Sequence, residues 1–258
     1  MRGNLHISPF VGTVSTGGGR GGGGSPLFAA DLDAASPYAF DSVTTHAAVT
    51  IALATGAGPN GGNAIRFTHN ITGGSGQYNY GYDKSVESQP TIGTTRYIRI
   101  WMKFEGTQSW GTFTNKFIAV GSDDGDPTGL GGRSILYLRE GSPAFGDSGN
   151  ALYLMKNIGY DGPKKASIPN SAGFAFQFSI TSGDAVAVQK IWYNNDTFSS
   201  PTASTTGMSI STWGWGGCGI GFFGDSILQT GDAVQYLIGG YEYDDAFDAT
   251  WYSRMGAW

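Results

Sequence analysis

Apolar and polar residues alternate along much of this chain with a period of two, which is typical of β-strands. The clearest case is the segment Arg96 to Glu105. One set of its alternating positions is wholly apolar and is predicted to face a core: Ile98, Ile100, Met102 and Phe104. The other set is mixed and is predicted to face solvent or a groove: Tyr97, Arg99, Trp101 and Lys103.

Further strands are predicted where a short apolar or alternating run lies between turn residues. They are Val49–Ala54, Ala64–His69, Lys116–Val120, Ser134–Arg139, Ala151–Lys156, Phe174–Ile180, Val186–Tyr193, Gly219–Phe223 and Val234–Tyr243. Turns such as Pro59-Asn-Gly-Gly and Asp161-Gly-Pro separate them. The best helical candidate is about two turns within Asp244 to Trp251. This pattern predicts an all-β fold, namely a two-sheet sandwich.

A glycine-rich run divides the chain into two unequal parts. All residues from Gly17 to Gly24 are glycine except Arg20, and such a run forms a flexible tether. We predict an extended N-terminal anchoring arm at residues 1–16, a tether at 17–25 and one sandwich domain at 26–258. The apolar residues expected to dock the arm on a larger assembly are Leu5, Ile7, Phe10 and Val11.

The composition excludes several classes of protein. The chain has 15 basic and 20 acidic residues, a formal net charge of −5 and no basic block, so we predict no nucleic-acid partner. Cys218 is the only cysteine, which rules out an intrachain disulfide. No apolar run is long enough for a membrane span, and the N-terminal segment lacks a secretory h-region. We therefore expect that the protein does not insert into a membrane. We also expect that it is made in the host cytoplasm and is not exported.

Three segments resemble strands of concanavalin A-like jelly-roll domains of the laminin-G and glycan-binding kind. Arg96-Tyr-Ile-Arg-Ile-Trp-Met-Lys-Phe is similar to the central strand of that family. Gln189-Lys-Ile-Trp-Tyr-Asn-Asn is similar to its "Val-x-Ile-Trp-x-Asn-Gly" strand and turn, and Tyr236-Leu-Ile-Gly-Gly-Tyr resembles its late "Ile-Gly-Gly" strand. The resemblance covers residues 27–250 and implies a concanavalin A-like sandwich. Lectins, hydrolases, lyases and inert virion modules all use this fold.

Alginate-type lyases share the fold, and those enzymes resemble one another in three strands. These read Arg-x-Glu-Leu-Arg, Gln-Ile-His and Tyr-x-Lys-x-Gly, and together they supply a cation and a proton-transfer group. Here Ile135 stands where the glutamate belongs, Ser179 stands where the histidine belongs, and Tyr153-Leu-Met-Lys has a different spacing. We therefore predict that the protein is not an enzyme and has no catalytic residue. A polysaccharide-active enzyme with a diverged site is the alternative.

An acidic turn is the best metal candidate. The turn contains Asp123, Asp124 and Asp126. Their carboxylates are hard oxygen ligands that suit a structural Ca²⁺ ion, which would be the only cofactor. Ligands from elsewhere would have to complete the site, and the candidates are Asp244, Asp245 and Asp248. The competing interpretation is two solvated acidic turns.

Tryptophans in glycine-rich surroundings are the candidate glycan-binding residues. Trp213 and Trp215 share a face if the chain is extended, and their flanking glycines would leave the rings open to a sugar. Further candidates are Trp110, Tyr78, Tyr80 and Tyr82. The competing interpretation places these rings in the core or in a subunit contact.

The combination of an arm, a tether, no disulfide and a glycan-binding type of fold resembles phage virion proteins. The sequence thus predicts a non-enzymatic structural or adhesion protein of a virion surface: a decoration protein, head fibre or tail appendage. Its partners would be a capsid or tail protein through the arm, further copies of itself and a cell-surface polysaccharide. A lectin-like module of a bacterial surface is a further alternative.

Overall fold

A computed structural model describes residues 25–36, 38–44, 49–70, 72–73, 75–77, 80–88, 91–106, 118–122, 134–140, 150–156, 159–167, 172–181, 183–194, 198–210, 216–222 and 227–256. The strands within them are β1 (Phe28–Ala29), β2 (Ser42–Thr44), β3 (Val49–Ala54), β4 (Ala64–Asn70), β5 (Ser75–Gln77), β6 (Tyr80–Glu87), β7 (Thr95–Phe104), β8 (Ile118–Ser122), β9 (Ser134–Glu140), β10 (Asn150–Lys156), β11 (Gly159–Ser167), β12 (Phe174–Thr181), β13 (Gly183–Tyr193), β14 (Ala203–Ile210), β15 (Gly216–Phe222), β16 (Ile227–Gln229) and β17 (Ala233–Asp244). A 3₁₀ turn (Pro59–Gly61) and a short helix, α1 (Trp251–Met255), complete the described elements.

The strands form two large antiparallel sheets. Sheet 1 has eight strands, in the order β14-β13-β12-β7-β17-β4-β3, with β1 paired to β17. Sheet 2 has seven strands, in the order β11-β10-β9-β8-β15-β6-β2. A separate pair joins β16 to β5. This arrangement confirms the predicted two-sheet sandwich.

The core lies between the two sheets. Most of its described side chains come from the inner face of sheet 1, including Phe67, Ile100, Phe176 and Tyr236, while sheet 2 contributes Ile220 to the same cluster. Polar contacts also link the sheets: the Tyr241 hydroxyl donates to the Gly219 carbonyl oxygen over 2.9 Å. Alternation in the central strands therefore predicted the inner face of sheet 1 correctly.

Two sequence predictions about individual elements are wrong. The helix predicted within Asp244 to Trp251 begins only at Trp251, because β17 continues to Asp244 in register with β7. The predicted turn Asp161-Gly-Pro lies inside β11. The pairing of β11 with β10 shifts register between Tyr160 and Lys165, so this proline lies in an irregular stretch of the outermost described strand of sheet 2, where prolines within sheets are tolerated.

Within the described ranges, no helix is long and apolar enough to cross a membrane.

His69 makes the stability of the fold depend on pH. Its side chain is 1% exposed on β4, and burial lowers its pKa to about 3. The unfolded chain takes up this proton below about pH 6.5, whereas the folded chain excludes it until far lower pH. The folded state therefore loses stability as pH falls through this window, by about 2 kcal/mol between pH 7.5 and pH 5.

We expect urea unfolding of the wild type to show this loss and His69→Gln to remove most of it. Two carboxylates with lowered pKa values, the half-buried Glu87 and the buried Asp248, titrate below this window and do not interfere. Equal pH slopes for the wild type and the variant would contradict the assignment to His69.

Candidate functional site

The outer face of sheet 1 carries a buried arginine. Arg99 of β7 is fully buried, and its guanidinium donates to Gln177 Oε1 over 2.9 Å, to Glu242 Oε2 over 3.0 Å and to Asp244 Oδ2 over 2.7 Å. It also donates to the carbonyl oxygen of Ala246. Every one of these partners lies on β12, on β17 or in the segment that follows β17. Arg99 thus holds the start of the C-terminal segment against the sheet.

A second arginine closes the same network from α1. Arg254 donates to Glu242 Oε2 over 3.1 Å and to Asp248 Oδ2 over 2.5 Å. Burial raises the pKa of Asp248, but hydrogen bonds from Thr250 and Arg254 outweigh it and hold that pKa below its usual value. Burial likewise lowers the pKa of Arg254, and the charges of Glu242 and Asp248 outweigh it and raise that pKa.

Aromatic side chains pack on this face beside the arginine network. Trp251 of α1 is 1% exposed and packs in one cluster with Trp101 of β7 and Leu237 of β17. A second group joins Trp192 to Phe247, with ring centroids 4.9 Å apart. The prediction that Tyr97, Arg99 and Trp101 face solvent or a groove is therefore wrong, because residues 245–255 cover them.

The same contacts bear on the predicted metal ligands. Asp244 and Asp248 form ion pairs with Arg99 and Arg254. Among the described residues, no group of three or more His, Cys, Asp and Glu side chains could hold a metal ion. The predicted ligands Asp123, Asp124 and Asp126 lie outside those residues, so a Ca²⁺ site at the acidic turn stays a prediction.

Most of the other predicted sites also lie outside the described residues. These are the candidate glycan-binding residues Trp110, Trp213 and Trp215 and the arm residues Leu5, Ile7, Phe10 and Val11. Their roles stay predictions.

Because residues 245–255 cover Tyr97, Arg99 and Trp101 on the outer face of sheet 1, we take the outer face of sheet 2 as the candidate for a binding groove. Ile220 of β15 is buried in the core between the sheets and pairs with Val120, which pairs with Leu136. Residues paired directly across antiparallel strands share a face, and adjacent residues along a strand lie on opposite faces. The register row that contains Gly221, next to Ile220, therefore belongs to the outer face.

This register row crosses the whole of sheet 2 without a break, and we call it the tyrosine row. Its members, in spatial order, are Lys165, Tyr153, Tyr137, Ala119, Gly221, Gly81 and Thr44. At one end of the row, Lys165, Tyr153 and Tyr137 occupy paired register positions on three adjacent strands. Neighbouring strands are about 4.8 Å apart, so this end is about 10 Å wide.

Small residues form the middle of the tyrosine row. Ala119, Gly221 and Gly81 are consecutive partners, and the next outer row contains Gly121 and Gly219. Gly219 and Gly221 are buried. Glycine inside a strand often marks a place where a ligand or another backbone approaches closely. The row thus combines glycine positions in its middle with Tyr137, Tyr153 and Lys165 at one end.

Sequence reasoning missed this row, although a signal was present. β9 and β10 each contain the triplet Leu-Tyr-Leu, at 136–138 and at 152–154. The two strands pair so that Tyr153 lies opposite Tyr137 and the leucines lie opposite each other. Lys165 was missed because its segment was interpreted as a turn followed by loop.

Ser179 does not lie in the same sheet as the other two positions that differ from the lyase strands. It lies on β12 in sheet 1, is 3% exposed and pairs with Tyr97 and Lys190. Ile135 and Tyr153 lie on β9 and β10 in sheet 2. Ser179 therefore cannot share a face with them, and its mismatch says nothing about a site on sheet 2.

No protein-family model matches the sequence, and no curated protein matches it. Solved structures with a similar fold include an endo-β-1,4-glucuronan lyase from the fungus Trichoderma reesei, which is 12% identical over 87% of this chain and 99% of that chain, with a TM-score of 0.57. They also include an alginate lyase from Aplysia kurodai (10% identical, 86% and 100% covered, TM-score 0.55) and the alginate lyase vAL-1 from Chlorella virus (9% identical, 86% and 100% covered, TM-score 0.52).

At these identities the likeness shows the fold, and it confirms the predicted concanavalin A-like jelly-roll sandwich. It also corrects the prediction that the protein is not an enzyme. Three structures that share the fold over nearly their whole length are polysaccharide lyases. Ser179, one of the residues that differ from the lyase strands, lies in sheet 1, whereas Ile135 and Tyr153 lie in sheet 2.

Proposed function

We propose that the protein is a polysaccharide lyase that cleaves a uronate-containing polysaccharide on the outer face of sheet 2. The observation that carries the proposal is the alignment of Lys165, Tyr153 and Tyr137 on three adjacent strands. The fold shared with lyases of glucuronan and alginate supports it. This chain is only 12% identical to the glucuronan lyase, so a site that differs from the lyase strands at Ile135 is compatible with the proposal.

The proposed reaction is a β-elimination. A base removes the proton from the carbon next to the uronate carboxyl group, and the electron pair of that bond forms a carbon–carbon double bond. The bond from the neighbouring carbon to the glycosidic oxygen breaks, and an acid protonates the leaving oxygen. The negative charge that develops on the carboxyl group needs a nearby cation, because electrostatic stabilisation of this kind is usually the largest catalytic contribution.

The tyrosine row contains residue types for each of these tasks. Tyr153 lies between a cation and a second phenol, so we assign it the proton transfer. Lys165 is assigned to the substrate carboxylate, with Arg139 as a second cation because it lies two residues from Tyr137 on the same strand. A proton-transfer group of this kind contributes about 10²–10⁴-fold to the rate.

The substrate class follows from the charges. The chain as a whole carries a net charge of −5, so an acidic polymer needs a local cluster of cations to bind. Lys165 and Arg139 supply two cations on the strands that flank β10 in one sheet. An acidic polysaccharide therefore fits better than a neutral glucan.

A virion location, attachment to a capsid or tail protein through the arm, and stacking of sugars on Trp110, Trp213 and Trp215 remain proposals without a structural test. They are compatible with a lyase, since an enzyme that degrades a surface polysaccharide can also be carried on a particle.

We expect the purified protein to release ultraviolet-absorbing unsaturated products from at least one of glucuronan, alginate, pectate and hyaluronan, and nothing from a neutral β-glucan. The double bond formed by elimination absorbs, whereas the product of hydrolysis does not. New reducing ends from the neutral glucan, without absorbance, would contradict the proposal and indicate a hydrolase.

A further inference from the structure

The strand β3 forms one edge of sheet 1 and lacks the usual protection of an edge. It has six residues, Val-Thr-Ile-Ala-Leu-Ala, with no charge and no proline. One side pairs with β4 along its full length. No described strand pairs with the other side. Natural proteins normally blunt such edges with charges, prolines or bulges, because the free backbone groups invite another strand.

The core side of β3 is incompletely covered as well. Val49 and Ile51 pack against the core but stay partly exposed, and Leu53, at the same period of two, is 42% exposed. At this end of the sandwich sheet 2 ends in β2, which has only three residues. Among the described residues, the inner face of sheet 1 therefore extends beyond sheet 2, and Leu53 of its last strand leaves apolar surface exposed.

We propose that β3 pairs antiparallel with β3 of a second copy of this chain, so that sheet 1 continues across a two-fold axis. With Ile51 opposite Ile51 of the second copy, Leu53 lies opposite Val49 of that copy. All three then form one apolar row on the core side, which covers the exposed surface of Leu53. On the outer side Thr50 lies opposite Ala52 of the second copy.

A second copy suits this edge better than a charged partner. The strand is neutral, so two copies meet without repulsion between like charges and without leaving an ion unpaired. Two-fold interfaces are self-complementary, and this strand is apolar at matching positions on either side of Ile51. The pairing does not involve the tyrosine row and is independent of the proposed lyase activity.

The mass of the full chain in solution tests the pairing. We expect a dimer by light scattering, and we expect Leu53→Lys to raise the dissociation constant at least about 100-fold, because two lysines would enter the shared row. Ile92→Lys is the matched control: Ile92 is 65% exposed in a turn, away from β3, and this variant should stay dimeric. A wild type that is monomeric at every concentration would overturn the proposal.

Cross-linking tests the register and does not depend on the fold tolerating Leu53→Lys. In a Cys218→Ser background, Ile51→Cys should form a disulfide-linked dimer, because directly paired residues have Cα atoms about 4.5–5.5 Å apart. Thr50→Cys should not, since its counterpart would lie about 7–8 Å away. A dimer that shows no cross-link through Ile51→Cys would overturn the proposal. So would a dimer that is lost when Leu5 and Ile7 of the arm are replaced by lysine, which would assign the edge to the arm.

Discussion

Arg99→Met should lower the free energy of unfolding by about 3–5 kcal/mol, which is the cost of removing one partner from a buried ion pair. The methionine leaves Asp244, which is 1% exposed, without the Arg99 cation, and it removes the Arg99 hydrogen bonds to Gln177 and to the Ala246 carbonyl, although Gln177 Oε1 keeps the Asp248 N–H. Glu242 keeps Arg254. The loss should therefore come mainly from Asp244 and from the freed C-terminal segment. Urea unfolding at pH 7 measures it.

Arg66→Met is the matched control for this prediction. Arg66 also forms an ion pair, with Glu105 at 2.6 Å, but its side chain is 37% exposed. Exposed pairs contribute little, so we expect a change below about 1 kcal/mol. Adding Asp244→Asn to Arg99→Met should recover part of the loss by removing the uncompensated charge. Equal effects of Arg99→Met and Arg66→Met would contradict the role of Arg99 in holding the C-terminal segment.

Tyr153→Phe should lower kcat/KM on a uronate polymer by at least about 100-fold, because it removes the only acidic proton of the residue assigned to proton transfer. The ring stays, so binding should change far less than turnover. Lys165→Met should cause a loss of about 10²–10³-fold, as expected when one group that stabilises developing charge is removed. Initial rates of product absorbance across substrate concentrations measure both.

Tyr252→Phe makes the same chemical change on the opposite side of the molecule. Tyr252 lies on α1 against the outer face of sheet 1, where we place no catalysis. We expect its activity to equal that of the wild type. If Tyr252→Phe loses as much activity as Tyr153→Phe, the effect is general and the assignment of Tyr153 fails.

Local sequence patterns predicted most of the fold. The alternation in Arg96 to Glu105 defined β7 to within one residue, and its apolar set proved to face the core. What local patterns could not show was the cover over the outer face of sheet 1. Arg99 and Trp101 look solvent-facing in sequence, but Arg99 is buried against Glu242 and Asp244 and Trp101 against Trp251, all more than 140 residues later in the chain.

The candidate site was harder to predict from the sequence, because its position depends on which strands share a sheet. Comparison with lyase strands combined Ser179 with Ile135, although β12 and β9 belong to different sheets. Lys165 joins the two tyrosines only through the pairing of β11 with β10, and the proline in β11 concealed that strand. The repeated Leu-Tyr-Leu triplets were the one local clue to the site, since a hairpin centred between them aligns Tyr137 with Tyr153.

Mass spectrometry of the products from uronate polymers tests the central claim most directly. A lyase yields oligosaccharides with an unsaturated uronate at the non-reducing end, each lighter by one water than the corresponding product of hydrolysis. We predict these species for the wild type on at least one of glucuronan, alginate, pectate and hyaluronan, and their absence for Tyr153→Phe. Saturated products of hydrolysis, or unsaturated products formed equally well by Tyr153→Phe, would contradict a lyase site at the tyrosine row.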